Sequence, residues 1–385
     1  MKTYYNSHVH IFSKKCIPVY ILGNNLSYLI KALDWLQMNR FVIFMLSVFK
    51  VLPITREAIP RLKMFFRSFA QGSQHEVIEH LLYQEYDRFS ESGSFKIVLL
   101  SIDFDSQNAG LAPLNYLNQI NEIAEYKRLK PYRDRILPFI GINPYHTIFI
   151  NLPIENFVKE YIEVHQFVGV KLYPATGYYP NDSRMDKLWE YCEKNDIPIM
   201  SHCTCGRIHY QGDASERLRT PSLFPNMTGD DQQVNFTDTE NFKALLVKYP
   251  KLKICFAHCG GIVFSKYKQN ELEQKLISKN FDSPRVIEYK WYKQVLSWCQ
   301  STDYPNIYLD ISWINHDRKT LEDLRDEVIK HNIMHKVLYG TDFFVNIDKT
   351  TEEDAYLLSK QIFNMDIIAS ENPQKYLRSL IHDNL

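Results

Sequence analysis

The chain has 385 residues, of which 45% are apolar, and its 45 basic residues balance 45 acidic residues. This length allows two or three average domains or one large α/β barrel, and the apolar content is enough for a full hydrophobic core. The zero net charge gives no indication of a nucleic-acid partner or of a strongly anionic one.

The N-terminus and the cysteines favour a cytoplasmic protein. No basic start followed by a long apolar run, typical of a signal peptide, is present. The most apolar stretch, residues 41–52, is too short to span a bilayer and contains Lys50. We expect a buried or lid helix there rather than stable membrane insertion, with a membrane-surface helix as the alternative. The seven cysteines form no paired framework, which is typical of reduced thiols.

Short apolar runs alternate with helical patterns along the chain. Runs rich in Val, Ile, Leu and Phe are typical of parallel strands buried on both faces. The strand candidates are residues 4–12, 95–103, 136–143, 168–173, 198–202, 253–258, 306–312 and 336–342. The predicted helices are 26–36, 41–51, 56–69, 75–89, 113–127, 154–165, 183–194, 238–249, 287–299, 321–331, 352–363 and 372–381. Eight strand–helix units predict a (β/α)8 TIM barrel, whereas the alternative, a doubly wound sheet, lacks a Gly-rich phosphate loop after the first strand.

Two connections are longer than a barrel crossover needs. We predict that residues 13–94, after strand one, form a helical insertion that serves as a lid or a homodimer surface. It would lie within one barrel domain spanning residues 1–385. A second insertion, residues 262–303, follows strand six and combines a mixed-charge segment with a helix. Residues 203–237, after strand five, are rich in Gly, Pro, Asn and Asp and predict a long loop that is functional or mobile.

Ionisable side chains lie at the ends of the predicted strands. His8 and His10 are two residues apart on strand one, so their imidazoles project to the same side and suit one metal ion. Further groups lie late in strands four, five, six and eight: Lys171, His202, His258 and Asp342. Because the C-terminal ends of barrel strands converge on one mouth, we expect all of these groups to face a common point.

Several motifs together resemble the amidohydrolase superfamily. They are SHVHIF, GVKLYP, PIMSHC, FAHCGG, YGTDFF and SENPQKYL, which follow the family's order and span nearly the whole chain. The sequence is most similar to the amidohydrolase-related branch. That branch includes aminocarboxymuconate-semialdehyde decarboxylase, resorcylate-type decarboxylases and several lactone or C–C bond hydrolases.

The resemblance implies a divalent metal, most readily zinc with manganese as the alternative, held by His8, His10, His202 and Asp342. Neutral imidazoles and a carboxylate suit such an ion, and open positions remain for water and substrate. Asp342 would also accept a proton from metal-activated water. His258 would polarise the substrate or donate a proton.

Lys171 has three interpretations. A free ammonium would hold an anionic group of the substrate or stabilise an oxyanion. A carboxylated lysine would bridge two metal ions, as in binuclear members of the superfamily. An ordinary barrel lysine would pair with a neighbouring acid. The first interpretation is favoured, and with it a site for one ion rather than two.

Other residues near the same strand ends are weaker candidates. Tyr173, Arg207 and His209 would contact the substrate or be solvated loop residues. Asp310 would orient a ligand histidine or form a hydrogen bond at the edge of the core. The cysteines beside two of the histidines, Cys203, Cys205 and Cys259, are interpreted as small buried thiols rather than as metal ligands.

These features lead to a main functional hypothesis and two alternatives. The main hypothesis is a metal-dependent hydrolase that uses metal-activated water on an amide, ester or lactone of a small anionic molecule. The first alternative is a metal-dependent non-oxidative decarboxylase of an aromatic or enoic acid, and the second is a non-catalytic barrel. The sequence does not separate hydrolysis from decarboxylation, because specificity lies in loops and insertions that fold-level analogy does not transfer.

Overall fold

A computed structural model describes residues 2–18, 72–91, 94–105, 110–145, 152–206, 229–261, 266–278, 283–343, 345–346 and 349–377. Its strands are β1 (Tyr4–Val9), β2 (Phe95–Leu100), β3 (Ile136–Ile142), β4 (Gly169–Leu172), β5 (Ile199–Ser201), β6 (Ile254–Phe256), β7 (Ile307–Asp310) and β8 (Val337–Leu338). They form one eight-stranded sheet whose neighbours follow chain order. All eight predicted strands are confirmed, although each ends earlier than predicted and the last five also begin one residue later.

The first and last strands close the sheet into a barrel. The Ser7 amide donates to the Tyr339 carbonyl at 2.8 Å, and the His10 amide donates to the Phe343 carbonyl at 3.0 Å. Val9 and Phe343 form a parallel β-bridge. A closed sheet of eight parallel strands is the predicted (β/α)8 barrel.

Helices follow the strands on the outside of the barrel. They are α1 (Gln74–Glu79), α2 (Tyr116–Arg128), α3 (Lys130–Arg133), α4 (Ile154–Lys159), α5 (Asp186–Lys194), α6 (Gly229–Thr237), α7 (Asn241–Lys248), α8 (Lys266–Ile277), α9 (Pro284–Gln300), α10 (Arg318–Lys330), α11 (Glu352–Ile362) and α12 (Asn372–Tyr376). Helix α1 continues through π-helical His80–Tyr86 and helical Asp87–Phe89, and α4 continues through π-helical Glu160–Val164. A π-helical segment, Ile367–Glu371, precedes α12.

Polar side chains begin several of these helices. The Asn115 side chain accepts a hydrogen bond from the Asn118 amide at the start of α2, and Asp317 and Thr351 cap α10 and α11 in the same way. Such caps satisfy backbone amides that the first helical turn leaves without a partner. The local sequence therefore determines where these helices begin.

Side chains along each strand alternate between two hydrophobic cores, and this alternation determines which side chains face the site. Leu137 and Phe139 of β3 lie in the core inside the barrel, whereas Ile140 and Ile142 pack in the core between sheet and helices. Met200, in the interior core, lies two residues before His202. Residues that continue the inward face past the strand ends therefore line the mouth.

Two parts of the predicted organisation need correction. The predicted loop 203–237 is wrong for its last residues, which form α6, because Val234 packs in a buried cluster with Cys205 and Trp291. The mixed-charge part of the second insertion contains helix α8, whose Leu272 is buried in the main core. In both cases tertiary burial stabilises a helix that the polar composition did not indicate.

The first insertion is described only in part. Helix α1 and its continuation confirm the predicted helix 75–89. The predicted helices 26–36, 41–51 and 56–69, and the apolar stretch 41–52, lie outside the described residues, so the insertion and its role as lid or dimer surface stay predictions. Among the described helices, none combines the length and the apolar character that crossing a lipid bilayer requires.

Candidate metal centre and active site

Three side chains that the sequence predicts as metal ligands converge at the barrel mouth. The Nε2 atoms of His8 and His10 lie 3.3 Å apart. Each of these nitrogens lies 3.4 Å from Oδ1 of Asp342. All three residues are buried, and their ligand atoms lie within 4.8 Å of one another. The structure therefore brings together residues from both ends of the chain into one compact donor set.

Hydrogen bonds on the far side of each imidazole orient the two rings. His10 Nδ1 lies 2.8 Å from the Leu100 carbonyl oxygen. Because a carbonyl only accepts, this nitrogen carries the proton and leaves a lone pair on Nε2. His8 Nδ1 donates in the same way to Oδ2 of Asp310 at 2.8 Å. Both rings therefore present a lone pair to the space between them.

The charges in this space fit a cation. Burial lowers the pKa of His8 and of His10 well below the ordinary value, so both imidazoles are neutral. Two nitrogen lone pairs and a carboxylate oxygen that face each other in a buried site repel one another unless a positive charge lies between them. The three side chains could therefore hold one divalent ion.

Asp310, at the end of β7, organises this side of the site. Besides the His8 ring, it accepts hydrogen bonds from the His258 amide at 2.9 Å and the Ser312 amide at 3.0 Å. The Ser312 hydroxyl donates to the same carboxylate. The predicted orienting role of Asp310 toward His8 is therefore visible as a direct contact.

Asp342 follows β8 in a left-handed backbone conformation, with φ 57°. Its amide donates to the His8 carbonyl at 2.9 Å, which places the carboxylate beside the two imidazoles. The chain passes so close to His8 that a Cβ on Gly340 would lie 2.7 Å from the His8 Cβ. Burial raises the pKa of the Asp342 carboxyl to about 7, and the charge of Lys171 partly opposes this shift.

His258 lies next to the donor set without joining it. His258 and Cys259 both have left-handed backbones, with φ 55° and 61°. Such strain persists where surrounding contacts hold it, and it is common at functional sites. His258 Nδ1 lies 2.9 Å from the Ser312 hydroxyl, and its ring is centred 5.1 Å from the His8 ring. Burial lowers the pKa of His258 to about 4, so the ring is neutral.

The predicted fourth ligand, His202, is held slightly apart. Its Nε2 lies 2.8 Å from the Thr204 hydroxyl, and its ring stacks on Tyr173 with centroids 4.2 Å apart. Its ring centroid lies 5.3 Å from that of His258. The compact donor set of His8, His10 and Asp342 does not include a His202 nitrogen. Its assignment as a ligand therefore stays a prediction.

Lys171 of β4 is a fully buried amine in the same space. Its Nζ has no hydrogen-bond partner among the described residues. Its charge acts on both His8 and His202, which places it among the histidines. Burial lowers the pKa of this ammonium to about 8, although the carboxylates of Asp342 and Asp310 partly oppose the shift. The third interpretation, an ordinary lysine paired with an acid, has no supporting ion pair among the described contacts.

The weaker candidates have different outcomes. All seven cysteines are buried as free thiols, as predicted for those near the site. Arg207 and His209 lie outside the described residues.

Sequence reasoning missed Ser312, which contacts His258, His8 and Asp310. The sequence did contain a signal for Ser312. It follows Asp310 at the same two-residue spacing that separates His8 from His10, which places both side chains of each pair on one side of a strand.

Known structures share this architecture at low sequence identity. The chain is similar to 5-carboxyvanillate decarboxylase from Sphingomonas paucimobilis, with a TM-score of 0.52, 12% identity, and coverage of 98% of this chain and 99% of that one. It is also similar to a dihydroxybenzoic acid decarboxylase from Polaromonas sp. JS666, whose structure holds manganese and the inhibitor 2-nitroresorcinol. That comparison has a TM-score of 0.51, 15% identity, and coverage of 100% and 99%. At these identities the likeness supports the fold alone.

The sequence comparisons extend beyond the fold. No curated protein sequence matches the chain. A sequence model described as amidohydrolase matches residues 104–384, well over half of the chain and including His202, His258 and Asp342. Together with the barrel and its buried mouth of histidines and a carboxylate, this match shows that the chain belongs to the amidohydrolase family.

Proposed function

We propose that the protein is a metal-dependent decarboxylase of a small aromatic or enoic carboxylic acid. One observation carries this proposal: Lys171 places a buried amine without a hydrogen-bond partner beside the donor set. Keeping such a group out of water is costly unless a ligand compensates it. A substrate carboxylate would supply the hydrogen-bond acceptor that none of the described residues offers to Nζ.

The metal centre would be formed by His8, His10 and Asp342, with His202 as the fourth ligand after it leaves Thr204. We expect one ion per chain, zinc or manganese, because two imidazoles and a carboxylate suit both. A bound divalent ion would supply positive charge that stabilises negative charge developing on the substrate. The remaining steps depend on side chains of this chain.

Decarboxylation breaks the bond between the carboxyl carbon and its neighbour, releases CO2 and leaves the electron pair on the remaining carbon. That carbon must gain one proton. Asp342, whose carboxyl lies at the donor set, would deliver this proton. His258, neutral and fixed by Ser312, would orient the acid. Lys171 would bind the carboxylate until CO2 leaves.

The similar structures support the same choice of reaction. The two structures compared above are described as a 5-carboxyvanillate decarboxylase and a dihydroxybenzoic acid decarboxylase. They favour decarboxylation over the hydrolysis that was the main hypothesis from sequence. We therefore expect the substrate to be an aromatic carboxylic acid.

The test compares two products on the full-length protein loaded with zinc or manganese. CO2 release is measured with dihydroxybenzoates and 5-carboxyvanillate, and acid release with a panel of lactones, esters and amides. Metal content and intact mass are recorded on the same preparation. CO2 release that disappears in the metal-stripped protein would support the proposal. Acid release from a lactone or amide without any CO2 release would overturn it.

Hydrolysis remains the second candidate because of Asp342. The Asp342 carboxyl, placed at the donor set, could accept a proton from an attacking water as well as donate one. Two metal ions per chain together with a carboxylated Lys171 would favour this candidate. A location in the cytoplasm is part of either proposal, since all seven cysteines are free thiols and reducing compartments preserve that state.

A further inference from the structure

A buried cluster of hydrogen-bonding side chains lies directly behind the metal site. It consists of Asn6, Tyr86, Thr341 and Glu352, here called the Asn6 cluster, and the Asn6 side chain has no solvent exposure. Asn6 lies two residues before His8, and Thr341 lies next to Asp342. The cluster therefore joins the backbone segments that carry the proposed metal ligands.

The Asn6 amide links the two ends of the barrel sheet. Its Oδ1 accepts hydrogen bonds from the His8 amide and from the Thr341 amide, each at 3.1 Å. Because both of these groups are donors, the orientation of the Asn6 side chain is determined. One side chain thus fixes the spacing between the segment that leads to His8 and His10 and the segment that leads to Asp342.

The other side of Asn6 is held by Glu352 and Tyr86. Asn6 Nδ2 lies 2.5 Å from the Tyr86 hydroxyl, 2.7 Å from Thr341 Oγ1 and 3.2 Å from Glu352 Oε2. The hydroxyls of Tyr86 and Thr341 both donate to that same Glu352 oxygen. Buried polar networks whose members are all satisfied are rigid, and each member depends on the others.

The cluster also connects a peripheral segment to the site. Tyr86 ends the π-helical continuation of α1, in the segment before β2. Glu352 is the first residue of α11, which follows β8 near the other end of the sequence. The Tyr86 ring stacks on Phe95 with centroids 4.4 Å apart, so packing as well as hydrogen bonding holds its hydroxyl in place. A displacement of this helix would therefore change the position of the Asn6 side chain.

We infer that Asn6, Tyr86 and Glu352 are positioning residues that set the metal affinity of the site by fixing the separation of His8 and His10 from Asp342. They touch neither the metal nor the substrate, and they act through the backbone of the ligand segments. Groups that orient metal ligands from outside the coordination sphere typically contribute about 10- to 100-fold to metal affinity. This inference rests on the proposed metal centre but not on the reaction that the centre catalyses.

Two buried tyrosines provide a matched pair of variants. Tyr86→Phe removes a hydroxyl from the Asn6 cluster. Tyr339→Phe removes an equally buried hydroxyl that has no hydrogen-bond partner in the described part of the chain. Asn6→Ala removes the link itself, and Glu352→Gln keeps an acceptor oxygen for Tyr86 and Thr341. Manganese(II) alone is titrated into each metal-free full-length protein by competition with a chelator, and the melting temperature of each metal-free protein is recorded.

We expect Tyr86→Phe to weaken manganese binding about tenfold and Asn6→Ala about 100-fold, with Glu352→Gln and Tyr339→Phe within about threefold of the wild type. A purely structural cluster would lower the melting temperature without changing affinity. Equal affinities for Tyr86→Phe and Tyr339→Phe would overturn the inference, even if Asn6→Ala fails to fold. A wild-type protein that binds neither manganese nor zinc would overturn the metal centre, and this inference with it.

Discussion

The two sides of the barrel mouth differ in how their polar groups are satisfied. On the side formed by β1, β7 and β8, the outer nitrogens of His8 and His10 have protein partners, and Asp310 accepts from three neighbouring residues. On the side formed by β4 and β5, Lys171 has no partner among the described residues and His202 bonds to a loop threonine. On the first side the protein fixes the rings from outside and leaves only the donor atoms of His8, His10 and Asp342 for an ion, whereas on the second side Lys171 has no hydrogen-bond partner of its own in the described part of the chain.

This difference indicates that the two sides of the site bind different partners. Preorganised side chains hold a metal without rearrangement, which is what a resident ion requires. A buried cation without a partner is destabilising in the free protein and becomes favourable only when an anion arrives. The β1–β7–β8 side is therefore suited to the ion and the β4–β5 side to the substrate.

The largest effect is expected from Asp342→Asn on the preorganised side. The substitution keeps the shape of the side chain but removes both a charged ligand and a proton donor. Turnover of a true substrate should fall by about 10³-fold or more, and bound metal should decrease. Asp366→Asn is the control, since Asp366 pairs with Lys2 on the surface and should leave turnover unchanged. Near-normal turnover in Asp342→Asn would show that its proposed role is wrong.

Lys171→Met tests the β4–β5 side. Turnover should fall by about 100-fold because the substrate carboxylate loses its partner. The metal-free protein should nevertheless become more stable, by about 1 kcal/mol or more, because a buried amine without a partner is replaced by an apolar chain of similar length. Urea unfolding of the metal-free protein measures this gain.

Lys127→Met is the matched control for that gain. Lys127 is also buried, and burial likewise lowers its pKa to about 8, but its Nζ donates to the Ile136 carbonyl at 2.9 Å. Removing it leaves buried carbonyls unsatisfied and should cost about 1–3 kcal/mol. If both substitutions destabilise the protein equally, Lys171 has a partner in the free enzyme and the proposed contrast is lost.

Glu288 allows a pH test of the loop that follows β5. Its Oε1 accepts from the Cys205 amide at 2.8 Å, and burial raises its pKa to about 7 from the ordinary 4.5. The folded protein therefore binds this proton more tightly than the unfolded chain does. Stability should fall as pH rises from 4.5 to about 7, by about 3 kcal/mol for this group alone.

Glu288→Gln should remove that contribution, since an amide keeps the acceptor and does not titrate. The difference in unfolding free energy between wild type and variant, measured by urea at several pH values, isolates this carboxyl from the rest of the chain. Parallel pH profiles for the two proteins would show that Glu288 does not titrate in this range.

The sequence predicted the barrel well because the signal is local. Each strand is a short apolar run, and HxH spacing places His8 and His10 on one side without any tertiary information. Contacts between distant segments were not predictable in the same way. Nothing near Asn6 in sequence indicates that Tyr86 and Glu352 meet it, and the polar composition of residues 229–237 concealed a helix that burial of Val234 stabilises.

The smallest effect is expected for His202, which belongs to the β4–β5 side although the family resemblance makes it a ligand. His202→Ala should weaken manganese binding by about tenfold, well below the loss caused by His10→Ala, because His8, His10 and Asp342 already form the donor set. Thr204→Val should strengthen binding slightly, since the valine no longer competes for His202 Nε2. Both are measured by chelator competition on metal-free protein. A loss in His202→Ala equal to that in His10→Ala would mean that His202 leaves Thr204 completely when the ion binds. Both sides of the mouth would then bind the metal, and the β4–β5 side would not be reserved for the substrate.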